Sequence, residues 1–175
     1  MRERRGFGGR PRKLLDDTQR IDPLAVRAKA LALLARRDFC VADLSARLRE
    51  RGFVEEAVGQ VIEELLEERL LNDERYALHY VHAHSQRGQG PRRIRQDLSA
   101  LGVEKALVEA ALDEGQDWVA IARDTRRRKF GEEVPADWAE RARQARFLQY
   151  RGFSNDHIRS ALGGSEADLA LDPDP

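Results

Sequence analysis

The sequence predicts an all-α protein: three tandem three-helix repeats in an elongated, curved modular array. Three observations lead there. No window sustains the period-two alternation of a half-buried strand, so no sheet is predicted. Apolar residues recur instead at helical spacing from Leu24 to Leu162. Finally, one frame returns about every fifty positions. Leu44, Leu48, Gly52, Phe53, Val58 and Ile62 form the first copy, and Ile94, Leu98, Gly102, Val103, Val108 and Leu112 the second. Leu148, Gly152, Phe153, Ile158 and Leu162 form the third, with Gln144 where a hydrophobe is expected. Glycine and apolar classes in register at a fixed period mark a repeat architecture, whose small units share faces with their neighbours. Thin joints between such units predict an array that flexes.

The chain begins with a polar, basic tail (1–22) containing Gly6, Gly8, Gly9 and Pro11, which reads as disordered. The first repeat (23–71) opens with an Ala/Leu-rich helix from Leu24 to Arg37, with Leu24, Leu31 and Leu34 on one face. A second helix from about Val41 to Arg51 turns Leu44 and Leu48 inward. Cys40 stands at its N-cap with Asp43 three residues on, where a serine would complete a capping box and a thiol caps poorly. Gly52 ends that helix. The third, from about Glu55 to Arg69, has a core stripe of Val58, Val61, Ile62, Leu65 and Leu66 backed by a solvated face of Glu63, Glu64, Glu67 and Glu68.

The second repeat (72–115) starts with a helix capped by Asn72 and running to about Gln86, with Tyr76, Tyr80 and Ala83 apolar. Its centre is Arg87 to Val103, RGQGPRRIRQDLSALGV. Pro91 at the first helical position and Gly102 just past the last bracket a short basic helix. A helix from about Glu104 to Leu112 closes the unit. The third repeat (116–163) has a helix from about Asp117 to Phe130, ending in Arg126-Arg127-Arg128-Lys129-Phe130-Gly131. A long helix from Pro135 to Arg151 follows, with Trp138, Ala142, Ala145 and Leu148 inward, and then a last helix capped by Ser154. Nine helices result. An acidic tail (164–175) reads as disordered.

Composition narrows the function classes. Of 175 residues, 41% are hydrophobic and 35% charged, which suits small helical units with large surfaces. No apolar run approaches the roughly 18–20 residues of a bilayer span, and no apolar segment follows the basic N-terminus, so neither membrane insertion nor secretion is expected. Cys40 is the sole cysteine, which excludes an internal disulfide and fits a reducing, cytoplasmic setting. The net charge of zero hides asymmetry: Val41–His79 carries ten acids and five bases, Arg123–Arg159 ten bases and six acids. Such asymmetry favours binding to nucleic acid or charged protein. Of the clustered histidines, 79 and 82 share a helix face while 84 is turned away, so no zinc site is expected. No Gly-rich phosphate loop and no nucleophile with an evident base is present, so neither cofactor nor catalysis is expected.

Several stretches resemble motifs of the RecX family, bacterial modulators of the RecA recombinase. They are Gly52-Phe53; Leu71-Asn72-Asp73-Glu74-Arg75-Tyr76-Ala77; Arg87 to Leu98 closed by Leu101-Gly102-Val103; and Lys129-Phe130-Gly131 followed by Arg146-Phe147-Leu148-Gln149-Tyr150-Arg151-Gly152-Phe153. The likeness runs from about Leu24 to Leu162, with Cys40 in place of the family's usual serine. It implies a modular protein, expected as a monomer, that binds in the groove of the RecA–single-stranded DNA filament. It further implies inhibition of RecA's ATP hydrolysis, strand exchange and co-protease activity, without catalysis of its own.

Candidate contact residues for that partner, or for DNA directly, are Arg87, Arg92, Arg93 and Arg95 in the second repeat. In the third they are Arg126, Arg127, Arg128, Lys129, Arg143, Arg146 and Arg151. The competing reading is that arginines on helices are solvated or paired with neighbouring acids. Tyr76, Trp118, Phe147 and Tyr150 are assigned to the core and not to base stacking, since each lies near an apolar helical face. Helix–glycine–helix units also resemble helix-turn-helix modules, but the helices after the glycine turns carry few of the Arg, Asn and Gln donors that read base edges. Non-specific phosphate binding by a helical-repeat protein stays open as the alternative.

Overall fold

The computed structural model describes residues 16–164 and folds them into ten helices. No strand occurs among the described residues, as the missing period-two pattern requires. The tails at 1–15 and 165–175 lie outside the described residues. The chain forms two compact units. One holds residues 16–38 and Leu44–Leu70, and the other holds Phe39–Asp43 and 71–164.

The first unit contains α1 (Asp17–Ile21), α2 (Pro23–Leu34), most of α3 (Val41–Arg49) and α4 (Glu55–Glu67). α1 corrects the sequence expectation of a tail reaching residue 22. Asp16 accepts the Gln19 N–H while the Gln19 side chain returns to the Asp16 N–H, a capping box that stabilises even a short helix. Arg20 then holds the first glycine turn, its Nε donating to Gly52 O at 2.9 Å while Val54 N–H donates to Arg20 O.

α2 corrects a second expectation. Its buried face is Val26, Ala30 and Leu33, whereas Leu24 is 75% exposed and Leu31 is also exposed. Its apolar residues are spread around the helix and interrupted by Arg27 and Lys29, so periodicity could not choose a side; packing against α4 chose it. In α4 the buried set Val58, Val61, Ile62 and Leu65 matches the stripe, but Leu66 is exposed.

The second unit contains α5 (Asp73–Gln86), α6 (Pro91–Ala100), α7 (Lys105–Asp113), α8 (Trp118–Phe130), α9 (Trp138–Tyr150) and α10 (Asn155–Ala161). One core gathers Tyr76, Val81, Ile94, Leu98, Val103, Val108 and Leu112, and Cys40 from the segment Phe39–Asp43. The other gathers Ala122, Leu148, Phe153, Ile158 and Leu162. Trp118 packs against both. Its indole Nε1 donates to Leu112 O.

Cys40 is fully buried and its thiol donates to Leu101 O at 3.3 Å, while Asp73 Oδ1 accepts the Val41 N–H at 2.8 Å. Burial pushes the Cys40 thiol pKa up, so the residue is a packing element and not a reactive thiol.

The joint between the second and third repeats is not thin, contrary to expectation. Gly90 N–H donates to Arg151 O at 2.8 Å and Arg92 N–H to Gly152 O at 3.0 Å. A Cβ on Gly90 would lie 2.4 Å from the Gly152 carbonyl carbon and the Phe153 nitrogen. Gly152, at φ +91°, has Arg93 equally close on its own Cβ side. Two backbones meet with no side chain between them, which only glycine on both strands of chain permits. The same geometry recurs one period earlier inside this unit, where Cys40 and Ala42 meet Leu101 and Gly102 as Gly90 and Arg93 meet Arg151 and Gly152.

α9 corrects a last boundary. It begins at Trp138 and not at Pro135, because the Asp137 side chain accepts the Glu140 N–H and fixes the start. Trp138, expected inward, is 77% exposed on the first turn.

Candidate nucleic-acid interface

The basic run closing α8 cannot act as one patch, because the helical period turns its four cations in different directions. Arg126 goes inward and is 4% exposed. Its guanidinium donates to Glu132 O (2.9 Å), Glu133 O (2.8 Å) and Gln144 Oε1 (3.4 Å). Gln144 donates in turn to Glu140 Oε1. Arg126 is therefore withdrawn from the candidate contacts: it clasps the turn after α8. The polar Gln144 at an apolar frame position is its acceptor, since a buried guanidinium needs one. Arg127 is taken by Asp124 and Glu132 on the surface.

Arg128 and Lys129 point instead toward the end of α5. Arg128 donates to Gln86 O, and Arg151 donates to Arg87 O at 3.1 Å. Both bonds use backbone carbonyls, so neither cation is neutralised. Arg87, Arg128, Lys129 and Arg151 together line a cleft of about 180 Å³ floored by Gly88, Thr125 and Phe147. None of the four has an acidic partner among the described residues. The carboxyl ends of α5 and α8 favour cations there. That effect accounts for each charge singly; the cleft arises because the glycine joint sets the turn after α5 against the end of α9 and Gly88 against Thr125 of α8. Thr125 packs where a Gly88 Cβ would lie, at 2.7 Å, so the floor also depends on glycine.

The remaining candidates divide. Arg95 is locked in a bidentate pair with Glu109 at 2.7 and 2.8 Å, which raises its own pKa and lowers that of Glu109. Arg93 pairs with Asp97 and packs its Cβ on Gly152. Arg143 pairs with Glu140 and lies over the Phe130 ring. Arg92 and Arg146 are exposed and make no ion pair among the described residues. Tyr150, assigned to the core from sequence, is instead 82% exposed. It directly precedes Arg151 in the chain, whose guanidinium sits 5.2 Å from the Phe147 ring centre. Among the described residues, no group of three or more His, Cys, Asp or Glu is placed to hold a metal ion, and no helix is long and apolar enough to cross a membrane.

Fold and cleft define an all-α tandem-repeat protein with a cationic groove at a repeat joint. Comparison with known proteins makes the class specific. Family models for the first, second and third three-helix domains of RecX match residues 27–65, 72–112 and 116–162. A protein named regulatory protein RecX from Halorhodospira halophila is 44% identical over 145 residues, covering 82% of this chain and 90% of its own. The one from Pseudomonas fluorescens strain SBW25 is 43% identical over 146 residues, covering 83% and 94%. The crystal structure of RecX from Lactobacillus salivarius superposes with a TM-score of 0.70 at 22% identity, covering 81% of this chain and 94% of that one. The chain belongs to the RecX family of regulatory proteins.

Proposed function

We propose that this protein is a non-catalytic regulator that binds the RecA–single-stranded DNA filament and lowers RecA's ATP hydrolysis, strand exchange and co-protease activity. Membership of all three repeats in the RecX family carries the reading. The cleft of Arg87, Arg128, Lys129 and Arg151 supports it, as four cations without acidic partners among the described residues suit DNA phosphates or acidic protein groups. Many modest contacts along one repeat chain give avidity without any single tight site. The same cleft favours the second reading, a DNA-binding protein indifferent to RecA.

One titration separates the two. RecA's DNA-dependent ATP hydrolysis is followed on single-stranded DNA as the protein is added, with binding to bare DNA measured in the same buffer. Inhibition at concentrations too low to coat bare DNA is the expected result. Inhibition only where bare DNA is already covered, or none, would leave the general DNA-binding reading. Four phosphate contacts on a single strand give a slope of log K against log salt of about −3.

A further inference from the structure

We propose that Tyr150 is a stacking platform for a base of single-stranded nucleic acid, whose backbone phosphates lie on Arg146 and on the cleft of Arg87, Arg128, Lys129 and Arg151. The inference deepens the proposed function and rests on it for the identity of the strand as filament DNA.

Three features place the platform. Tyr150 is 82% exposed in the last turn of α9, so its ring contributes little to the core. Arg146 stands one turn before it on the same side of the helix, exposed and without an ion pair among the described residues. Arg151, the next residue, turns into the cleft and covers Phe147. Along the end of α9 an exposed ring thus stands between Arg146, one turn before it, and Arg151, the next residue and part of the cleft lining.

Alternating cation and aromatic is how strands without fixed sequence are held: charges track the backbone, and any base offers a face to stack. A duplex keeps its bases inside the stack, so the ring selects a single strand. An acidic protein surface would satisfy the cations but would leave the ring without a matching partner.

The test compares the wild-type protein with Tyr150→Ala and Tyr150→Phe by fluorescence anisotropy. One probe is a labelled thymidine oligonucleotide, and the other an abasic oligomer of the same length. Stacking predicts that Tyr150→Ala loses about five- to a hundredfold in affinity for the thymidine strand. Tyr150→Phe should retain it, and the abasic strand should not distinguish the three proteins. Equal losses on both strands, or no loss, would overturn the proposal, as would an undetectable wild-type affinity. A loss of filament inhibition with unchanged oligonucleotide binding would also overturn it, assigning Tyr150 to a protein contact. The filament reading fails separately, if the wild-type protein leaves RecA's ATP hydrolysis untouched while the thymidine-specific loss persists. Unaltered thermal melting of the variants checks that the exposed site leaves the fold intact.

Discussion

Gly90→Ala isolates the backbone joint on which the cleft depends. Gly90 has φ −87° and ψ 166°, angles that alanine adopts freely. Local effects therefore nearly cancel: about 0.4–1 kcal/mol gained through a less mobile unfolded chain, against a comparable loss for alanine as N-cap. The joint decides the outcome. The added Cβ would sit 2.4 Å from the Gly152 carbonyl carbon and the Phe153 nitrogen, and backbone on both sides cannot step aside as a side-chain tip would. The hydrogen bonds from Gly90 N to Arg151 O and from Arg92 N to Gly152 O stretch or break. Two such bonds contribute about 2 kcal/mol, and overpacking adds about 1–3 kcal/mol. The expected loss is about 3–5 kcal/mol, which lowers the melting temperature by at least roughly 6 °C for a chain of this size. Thermal and urea unfolding followed by circular dichroism measure it. Gly59→Ala is the control, since no atom lies within 4 Å of its Cβ position in mid-α4, and it should stabilise by about 0.5–1 kcal/mol. If Gly90→Ala melts at or above the wild type, the close-approach reasoning is wrong.

Three further outcomes follow from other sites. Gly102→Val meets two obstacles: φ +81°, which costs a branched residue about 1–2 kcal/mol, and the Ala42 Cβ at 2.7 Å. Pairing it with Ala42→Gly should recover part of the loss in melting temperature, and no recovery would show that only the backbone angle matters. Arg126→Ala should cost about 2–3 kcal/mol by urea denaturation, since it removes the donors that hold Glu132 O and Glu133 O and leaves Gln144 without its buried partner. An Arg126→Met, Gln144→Leu pair should regain part of that, because apolar packing replaces the buried Arg126–Gln144 contact while Glu132 O and Glu133 O still lose their donor; strictly additive losses would contradict the clasp. The Arg95 guanidinium hydrogen-bonded to Glu109 holds that carboxyl below its ordinary pKa. A depressed folded-state pKa means stabilisation that is present above the usual glutamate range and lost as pH falls through the lowered value. Both side chains are more than a third exposed, so solvent screening keeps the effect under about 1 kcal/mol. The urea midpoint of Glu109→Gln should therefore trail the wild type near neutrality and converge with it in acid. A gap that widened on acidification would reverse the sign of the argument.

The helical class, the register of the three glycine turns and most third-helix cores were legible in the sequence. These depend on neighbours three, four and seven residues apart, and that spacing is written in the chain. Ile94, Leu98, Val103, Val108 and Leu112 are buried where the repeat frame puts them. Family membership was legible for the same reason, since the motifs follow one another in order along a single strand of text.

Whatever depends on the approach of distant segments was not. α2 spreads its apolar residues around the helix with no single stripe, so only packing on α4 could bury Val26 and expose Leu24. α1 needs Gly52 and Val54 as partners, and a five-residue helix carries too little of its own signal. In the basic run of α8 the letters are alike, yet Arg126 is buried, Arg127 paired, and Arg128 and Lys129 gathered into a cleft. Arg95 met Glu109 fourteen residues away, and Tyr150 was left in the open. Sequence alone determined which residues are cationic and on which helix they ride. The tertiary structure decided which of them stay unneutralised together, because that requires the ends of α5, α8 and α9, from two repeats, to meet beside the joint where Gly90 and Gly152 leave room for backbone to touch backbone.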